Sequence, residues 1–253
     1  MKRYFISFLL IILLLITFHT STLAKESLLV YSAAGLIKPM EVITEQFKTE
    51  YDLDIHLQFN GSGVLKNQIE TVKKGDIYIA ADSWYLKDLA KKSIVKDYYN
   101  IASHTPVIIL PKNSNKEINK LRDLLKEDIK VVVADPSAAI GRVTEEIIKK
   151  NKLGDNFYNN IISKAETVNK VRMYIIMGQG DAGIVWRANY FESKDKLKLI
   201  EIADENNIIK DISMGILKYS SNKKQAQLFI DYLRSKTAKE VFKSYGYDIS
   251  EKR

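Results

Sequence analysis

The chain contains no cysteine. Disulfides, thiolate metal sites, a cysteine nucleophile and lipid attachment through an N-terminal cysteine are all excluded on that count. Histidine is scarce: His19 lies in the N-terminal apolar stretch, His56 on an alternating strand pattern and His104 beside a chain crossing. Ser32, Ser62 and Ser137 have no neighbouring histidine-plus-carboxylate set that would make one of them a nucleophile. Asp76, Asp82 and Asp135 are the carboxylates a metal cluster would use. No glutamate or histidine stands with them at ligand spacing, and Asp135 before Pro136 reads as a turn residue. No metal site, no cofactor and no enzymatic activity are expected. A dense basic stripe interleaved with aromatics is also missing, which argues against nucleic acid as a partner. The formal charge of +8 comes instead from scattered pairs such as Lys73-Lys74, Lys91-Lys92, Lys149-Lys150 and Lys223-Lys224. These read as solvated helix faces whose summed field favours anions. There is no low-complexity tract and no repeat of fixed period.

What is present begins with the N-terminus. Lys2 and Arg3 precede an apolar run from Phe5 to Phe18, and Thr22-Leu23-Ala24 supplies small residues at a cleavage position. This layout predicts a secretory signal peptide over 1–24. Its apolar core is shorter than the roughly 20 residues of a comfortable bilayer span, and no later segment is apolar enough to span. A protein exported to the periplasm or the extracellular space, without a lipid anchor, is the expectation; an uncleaved N-terminal anchor is the alternative.

Beyond residue 24 the hydrophobic periodicity alternates between two and 3.6. Leu28 to Tyr31 reads as a strand, followed by small residues and then Leu36, Met40, Ile43 and Phe47 at helical spacing. The unit recurs: a strand over 54–59, a turn at Asn60-Gly61-Ser62-Gly63 and a helix marked by Leu65, Ile69 and Val72. A strand over 76–80 and a helix over 84–90 come next. Further strands are predicted over 105–110, 130–134, 182–186, 197–202 and 213–219. Helices are predicted over 141–152, after an Asn169 N-cap, and twice near the C-terminus. Alternation of this kind predicts mixed, mostly parallel sheets with helices on both faces. There are more elements than one compact sheet needs, so two α/β lobes are expected. Lobe 1 is discontinuous, over 25–103 and 206–253, and lobe 2 covers 104–205.

Four segments place small or capping residues just before a helix: Ser32-Ala33-Ala34-Gly35, Asn60-Gly61-Ser62-Gly63, Ser137-Ala138-Ala139-Ile140-Gly141 and Thr167-Val168-Asn169-Lys170. A helix start exposes unpaired N–H groups and a partial charge of roughly +0.5. Small residues let an anion reach that backbone. One such turn is an ordinary strand-to-helix connection, whereas four, two per lobe, suggest a shared ligand at the carboxyl ends of the strands.

The order and wording of these segments resemble the molybdate-binding proteins of bacterial ABC importers. The resemblance runs from about Leu28 to Tyr245. It is carried by Val30-Tyr31-Ser32-Ala33-Ala34-Gly35-Leu36, Phe59-Asn60-Gly61-Ser62-Gly63-Val64-Leu65 and Gly75-Asp76-Ile77-Tyr78-Ile79-Ala80-Ala81-Asp82. His104-Thr105-Pro106-Val107, Asp135-Pro136 with Gly141, Val171-Arg172 and Gly180-Asp181-Ala182-Gly183-Ile184-Val185-Trp186 continue it. It implies a two-lobed periplasmic-binding-protein fold of type II, a Venus flytrap, working as a monomer. One tetrahedral oxyanion, molybdate or tungstate, would be held by hydrogen bonds between the lobes and passed to a membrane permease.

The resemblance also implies a ligand set. Ser62 would donate its hydroxyl and N–H. Gly35 stands where the family usually has a ligand serine, so only its N–H remains, with Ser32 as an alternative source of a hydroxyl. Ile140 or Gly141 would give an N–H from the third loop, and Val171 another at a helix start. Trp186 replaces a tyrosine found in many members; its indole donates but cannot accept. Arg142 and Arg172 lie near these turns. Either would pair with the anion, which would also suit sulfate or a small organic carboxylate, or else brace the lobes. A sensor or receptor built on the same fold is a further reading.

Overall fold

The computed structural model describes residues 27–136 and 138–249. The signal-peptide prediction over 1–24, and Ser137, lie outside the described residues. The first lobe opens with β1 (Ser27–Ala33), α1 (Ile37–Tyr51), β2 (Asp54–Asn60), α2 (Ser62–Val72), β3 (Ile77–Ala80), α3 (Ser83–Lys91) and β4 (Val95–His104). The second contains β5 (Pro106–Pro111), β6 (Val131–Ala134), α4 (Ala139–Lys150), α5 (Gly154–Asn159), β7 (Ile161–Ala165), α6 (Val168–Ile176), β8 (Ala182–Trp186), α7 (Arg187–Phe191) and β9 (Leu197–Glu201). The chain then returns to the first lobe as β10 (Lys210–Leu217), α8 (Lys223–Leu233) and α9 (Lys236–Ser244). The sheet orders are β2-β1-β3-β10-β4 and β7-β6-β8-β5-β9. In each sheet four strands run in one direction, and the strand that enters from the other lobe, β10 or β5, is antiparallel to them.

The side-chain period of a strand decides how the first lobe is covered. In β3 every residue is buried, yet Ile77 and Ile79 join one apolar cluster while Tyr78 and Ala80 join another. Successive side chains point to opposite faces, so a continuous apolar run marks a strand with helices on both sides. On one face Met40, Ile43 and Phe47 of α1 meet Phe229 and Leu233 of α8 and Phe242 of α9. On the other, Leu65 and Ile69 of α2 meet Leu86 and Leu89 of α3. The second lobe has its own core, in which Val107, Ile109, Val132 and Ile184 of the sheet pack with Val143, Ile147, Val171 and Ile175 of the helices.

The pattern reading falls short at β4 and β7, for which no strand is predicted. Both lie at sheet edges. An edge strand has one flank open to water and tolerates polar residues; Lys96, Asp97 and Asn100 in β4 and Ser163 and Lys164 in β7 hide the alternation. The cap of α6 also differs from expectation. Thr167, not Asn169, is the N-cap, and its hydroxyl oxygen accepts the Lys170 N–H at 3.2 Å.

Candidate functional site

The parallel strands place their carboxyl ends on one edge of each sheet, and the two edges face each other. A cleft of about 1140 Å³ lies between them. From the first lobe, Gly35 follows β1, Ser62 follows β2 and Asp82 follows β3; from the second, Ile140 follows β6, Val168 follows β7 and Trp186 ends β8.

Each turn presents donors for a definite reason. In α2 the first intrahelical bond is from Leu65 N–H to the Gly61 carbonyl, 3.1 Å. The N–H groups of Ser62, Gly63 and Val64 therefore have no acceptor in the helix, and no side chain caps this end. Helix α4 begins likewise: its first bond runs from Arg142 N–H to the Ala138 carbonyl, 3.1 Å, with no side-chain cap. By contrast, α3 and α9 carry ordinary caps from Asp82 and Ser235.

Ser62 is the best-defined donor. It is nearly buried, at 9% exposure. Its Oγ accepts the Ala81 N–H at 3.0 Å. An oxygen already occupied as acceptor leaves its own hydrogen to donate. The Ser62 carbonyl accepts the Tyr78 hydroxyl at 2.7 Å. Burial pushes the Tyr78 hydroxyl far above its ordinary pKa, so it remains a donor and holds the turn.

Several predicted ligands are placed differently. Gly35, Ile140, Arg142 and Trp186 line the cleft with Ser62. Ser32 does not: it is fully buried within β1, and its Oγ has no partner among the described residues. Residues 32 and 33 point to opposite faces of the sheet, and the strand continues to Ala33 before the turn begins. Val171 is fully buried, and its N–H is spent on the Thr167 carbonyl at 3.1 Å. The open groups of that turn belong to Val168 and Asn169, one turn earlier. Gly141 is buried and faces away; a Cβ there would come within 2.0 Å of the Asp135 carbonyl oxygen. Glycine is needed so that α4 can sit on the 135–136 turn, and Ile140 is the residue of the pair that reaches the cleft.

Arg172 is committed elsewhere. It pairs with Glu192 and donates to the Asn189 carbonyl at 3.2 Å. Glu192 also pairs with Lys38 across the cleft, 3.1 Å. Burial alone would raise the Glu192 carboxyl, but its bonds to Arg172 and Lys38 outweigh that and hold it below the usual range. The same accounting applies along the walls: Asp82 and Glu146 share Lys210, at 3.8 and 2.9 Å, and Glu166 pairs with Lys170 at 2.6 Å. Every carboxylate lining the cleft thus has a cation beside it.

Two further lining residues stand outside the expected ligand set. Tyr247 donates its hydroxyl to the Gly35 carbonyl at 2.5 Å. His104, at the end of β4, packs against Trp186 and Tyr247 with ring centroids 4.9 and 5.2 Å away. Burial pushes its imidazole down to about 4, so it is neutral near pH 7. The position of His104 at the crossing was the available signal; Tyr247 had none, since its strand-like neighbour Asp248 forms only an isolated bridge with Ser103. Among the described residues no group of three or more metal-ligating side chains converges. Asp76 instead accepts the Leu29 N–H at 2.8 Å and the Ser220 hydroxyl at 2.6 Å.

Two lobes, a crossing strand and a donor-lined cleft describe a protein that captures a solute. The chain belongs to the bacterial extracellular solute-binding protein family. The family's sequence profile matches residues 28–248. The molybdate-binding protein ModA of Mycobacterium tuberculosis is 25% identical over 228 residues, 89% of this chain and 86% of that one. In solved structures, the Azotobacter vinelandii periplasmic molybdate-binding protein matches with a TM-score of 0.72 at 17% identity, covering 88% of this chain and 100% of that one. The sulfate-binding protein SubI of M. tuberculosis also matches with a TM-score of 0.72, at 12% identity, covering 90% and 88%. These likenesses establish a type II binding-protein fold and a ModA-like solute-binding protein. Such proteins are the substrate-binding components of ABC transporters, acting with a membrane permease, and are not enzymes. No helix among the described residues is long and apolar enough to cross a membrane.

Proposed function

We propose that this solute-binding protein captures a tetrahedral oxyanion dianion, molybdate or tungstate, between its lobes and delivers it to the permease outside the cytoplasm. One observation carries the reading: the cleft offers the Ser62 hydroxyl and open N–H groups from helix starts on both lobes, while its carboxylates are already paired. Such a wall supplies donors and little else. Molybdate and tungstate are acceptors only, so none of their oxygens is opposed. Protonated phosphate would bring a hydrogen against a donor, a buried mismatch costing about 1–3 kcal/mol. Sulfate lacks that proton and must be rejected by size.

Arg142 supports a second reading. Its place on the cleft wall would suit a small organic carboxylate held by a guanidinium fork. A thermal-shift panel of molybdate, tungstate, sulfate, phosphate and several carboxylates separates the two. Ligand a thousandfold above its dissociation constant is expected to stabilise the protein by about 4 kcal/mol. A shift with the metal oxyanions and none with phosphate is expected. No shift with either metal oxyanion, together with a clear shift for a carboxylate, would discard the oxyanion reading in favour of Arg142.

A further inference from the structure

We propose that His104 is a ligand-binding and specificity-determining residue of this cleft, donating its Nε2–H to the bound oxyanion beside Gly35. The inference rests on the oxyanion function above and adds a ring N–H donor to the Ser62 hydroxyl and the helix-start N–H groups.

The geometry supports it at several points. His104 lines the cleft yet is only 5% exposed. Nδ1 is sealed from solvent and has no hydrogen-bond partner among the described residues. The ring edge carrying Cε1 and Nε2 faces Gly35: a Cβ built on Gly35 would lie 3.6 Å from Cε1 and 3.7 Å from Nε2. Gly35 itself brings no side chain, so this imidazole edge borders the space beside its N–H. The Gly35 carbonyl is tied to Tyr247, which fixes the turn against the ring. Trp186 from the other lobe packs on the imidazole.

His104 is also held where both lobes act on it. It ends β4, and β5 begins two residues later in the other sheet. The Ser103 N–H donates to the Asp248 carbonyl at 2.7 Å, the Thr105 hydroxyl donates to the Asp248 carboxylate, and Arg187 pairs with that same carboxylate. The hinge residues on either side of the histidine are thus anchored to one point.

A neutral imidazole carries one proton that either nitrogen can hold. With Nδ1 unpartnered, no described protein group selects the tautomer. An acceptor-only ligand at Nε2 selects the Nε2–H form and gives the ring its one polar bond. A ligand bearing its own proton on that side would favour the opposite tautomer, leaving a buried N–H at Nδ1 without an acceptor. The residue therefore discriminates in the same sense as the backbone donors.

The test compares wild type, His104→Ala and His104→Gln by calorimetric titration with molybdate, alongside 15N spectra of histidine-labelled wild type. The alanine variant should bind about tenfold or more weakly, whereas glutamine, which keeps an N–H donor, should stay within about threefold of wild type. In wild type, molybdate should move the His104 ring signals to the Nε2–H pattern and leave those of exposed His56 in place. Molybdate binding by wild type with unmoved His104 signals overturns the inference while leaving the cleft reading intact, even if the alanine variant does not fold. Unchanged affinity in a folded alanine variant does the same. A wild-type protein that binds neither molybdate nor tungstate overturns the function, and this inference with it.

Discussion

His104 makes the unliganded protein sensitive to mild acid in a calculable way. In the folded state burial lowers its pKa from the ordinary 6.5 to about 4. Above 6.5 the ring is neutral in both states and costs nothing. Between 6.5 and 4 the unfolded chain binds a proton that the folded chain refuses, so stability falls as pH falls through this window. Each unit of difference is worth 1.36 kcal/mol. The loss from this one residue is therefore about 2 kcal/mol at pH 5 and about 3 kcal/mol near pH 4. Carboxylates such as Glu192, held low by Arg172 and Lys38, contribute stability that is lost as pH falls through their own lower folded values, so they act mainly below this window. Thermal unfolding of wild type and His104→Gln, followed from pH 7 to 4.5 without ligand, isolates the histidine. The variant has no group to titrate at 104, so wild type should lose about 4 to 8 °C more than the variant between pH 7 and pH 5. Parallel curves for the two proteins across that range would refute the argument, because they would mean the ring is protonated in the folded state or hydrated where the structure buries it.

Other expectations follow from single contacts. Ser62→Ala removes the hydroxyl that the Ala81 N–H orients toward the cleft; oxyanion affinity should fall about tenfold or more, since a bond to a charged acceptor contributes roughly 1.5–3 kcal/mol. Unchanged affinity by titration calorimetry would remove Ser62 from the site. Gly141→Ala places a Cβ against the Asp135 carbonyl and should destabilise the second lobe by about 3 kcal/mol, read as a lowered denaturant midpoint; an unchanged midpoint would show that the α4 start has room to shift. Raising salt should slow oxyanion association, because the attraction comes from scattered surface lysines, and leave dissociation nearly unchanged. Stopped-flow traces in which both rates respond equally would place the ligand in a solvent-exposed, cation-held site.

The parts of the fold written in repeated apolar spacing were legible. Leu65 and Ile69 mark the buried face of α2, and Ile77 to Ala80 mark a strand buried on both faces, because burial restricts those positions to apolar residues, whereas Val72, also part of the spacing, is exposed. The edge strands β4 and β7 were hidden by the polar residues that an open flank permits. The site divides similarly. Small residues before a helix locate Gly35, Ser62 and Ile140, since the backbone must be approachable there. They do not tell which residue of a turn faces the ligand. Val171 lies about a turn beyond the cleft-lining Val168 and Asn169, and Gly141 one residue beyond Ile140, and only the hydrogen-bond pattern of Val171 and the close approach of Gly141 to Asp135 resolve that. His104 and Tyr247 come together from positions 143 residues apart through the return of the chain to the first lobe, which no local pattern encodes.

The charge of the whole chain and the charge of its cleft point in different directions, and the difference bears on selectivity. The chain carries +8, yet the charged residues lining the cleft are Lys38, Arg142 and Lys210 against Asp82, Glu146, Glu166 and Glu192. A pocket filled with cations would accept most small anions, because a point charge reads little beyond charge and distance. Here the lysines at the walls are matched to carboxylates, so much of their field is cancelled locally before a ligand arrives. What remains for a dianion is a set of oriented neutral donors: the Ser62 hydroxyl, the first N–H groups of α2 and α4, those of Val168 and Asn169, and on the inference above the imidazole of His104. Donors of this kind are directional, and buried ones left unmatched cost free energy, so they report on whether each ligand oxygen is present, unprotonated and at the right distance. If the ligand is the proposed oxyanion, the surface lysines bring anions near and the neutral lining decides which of them stays.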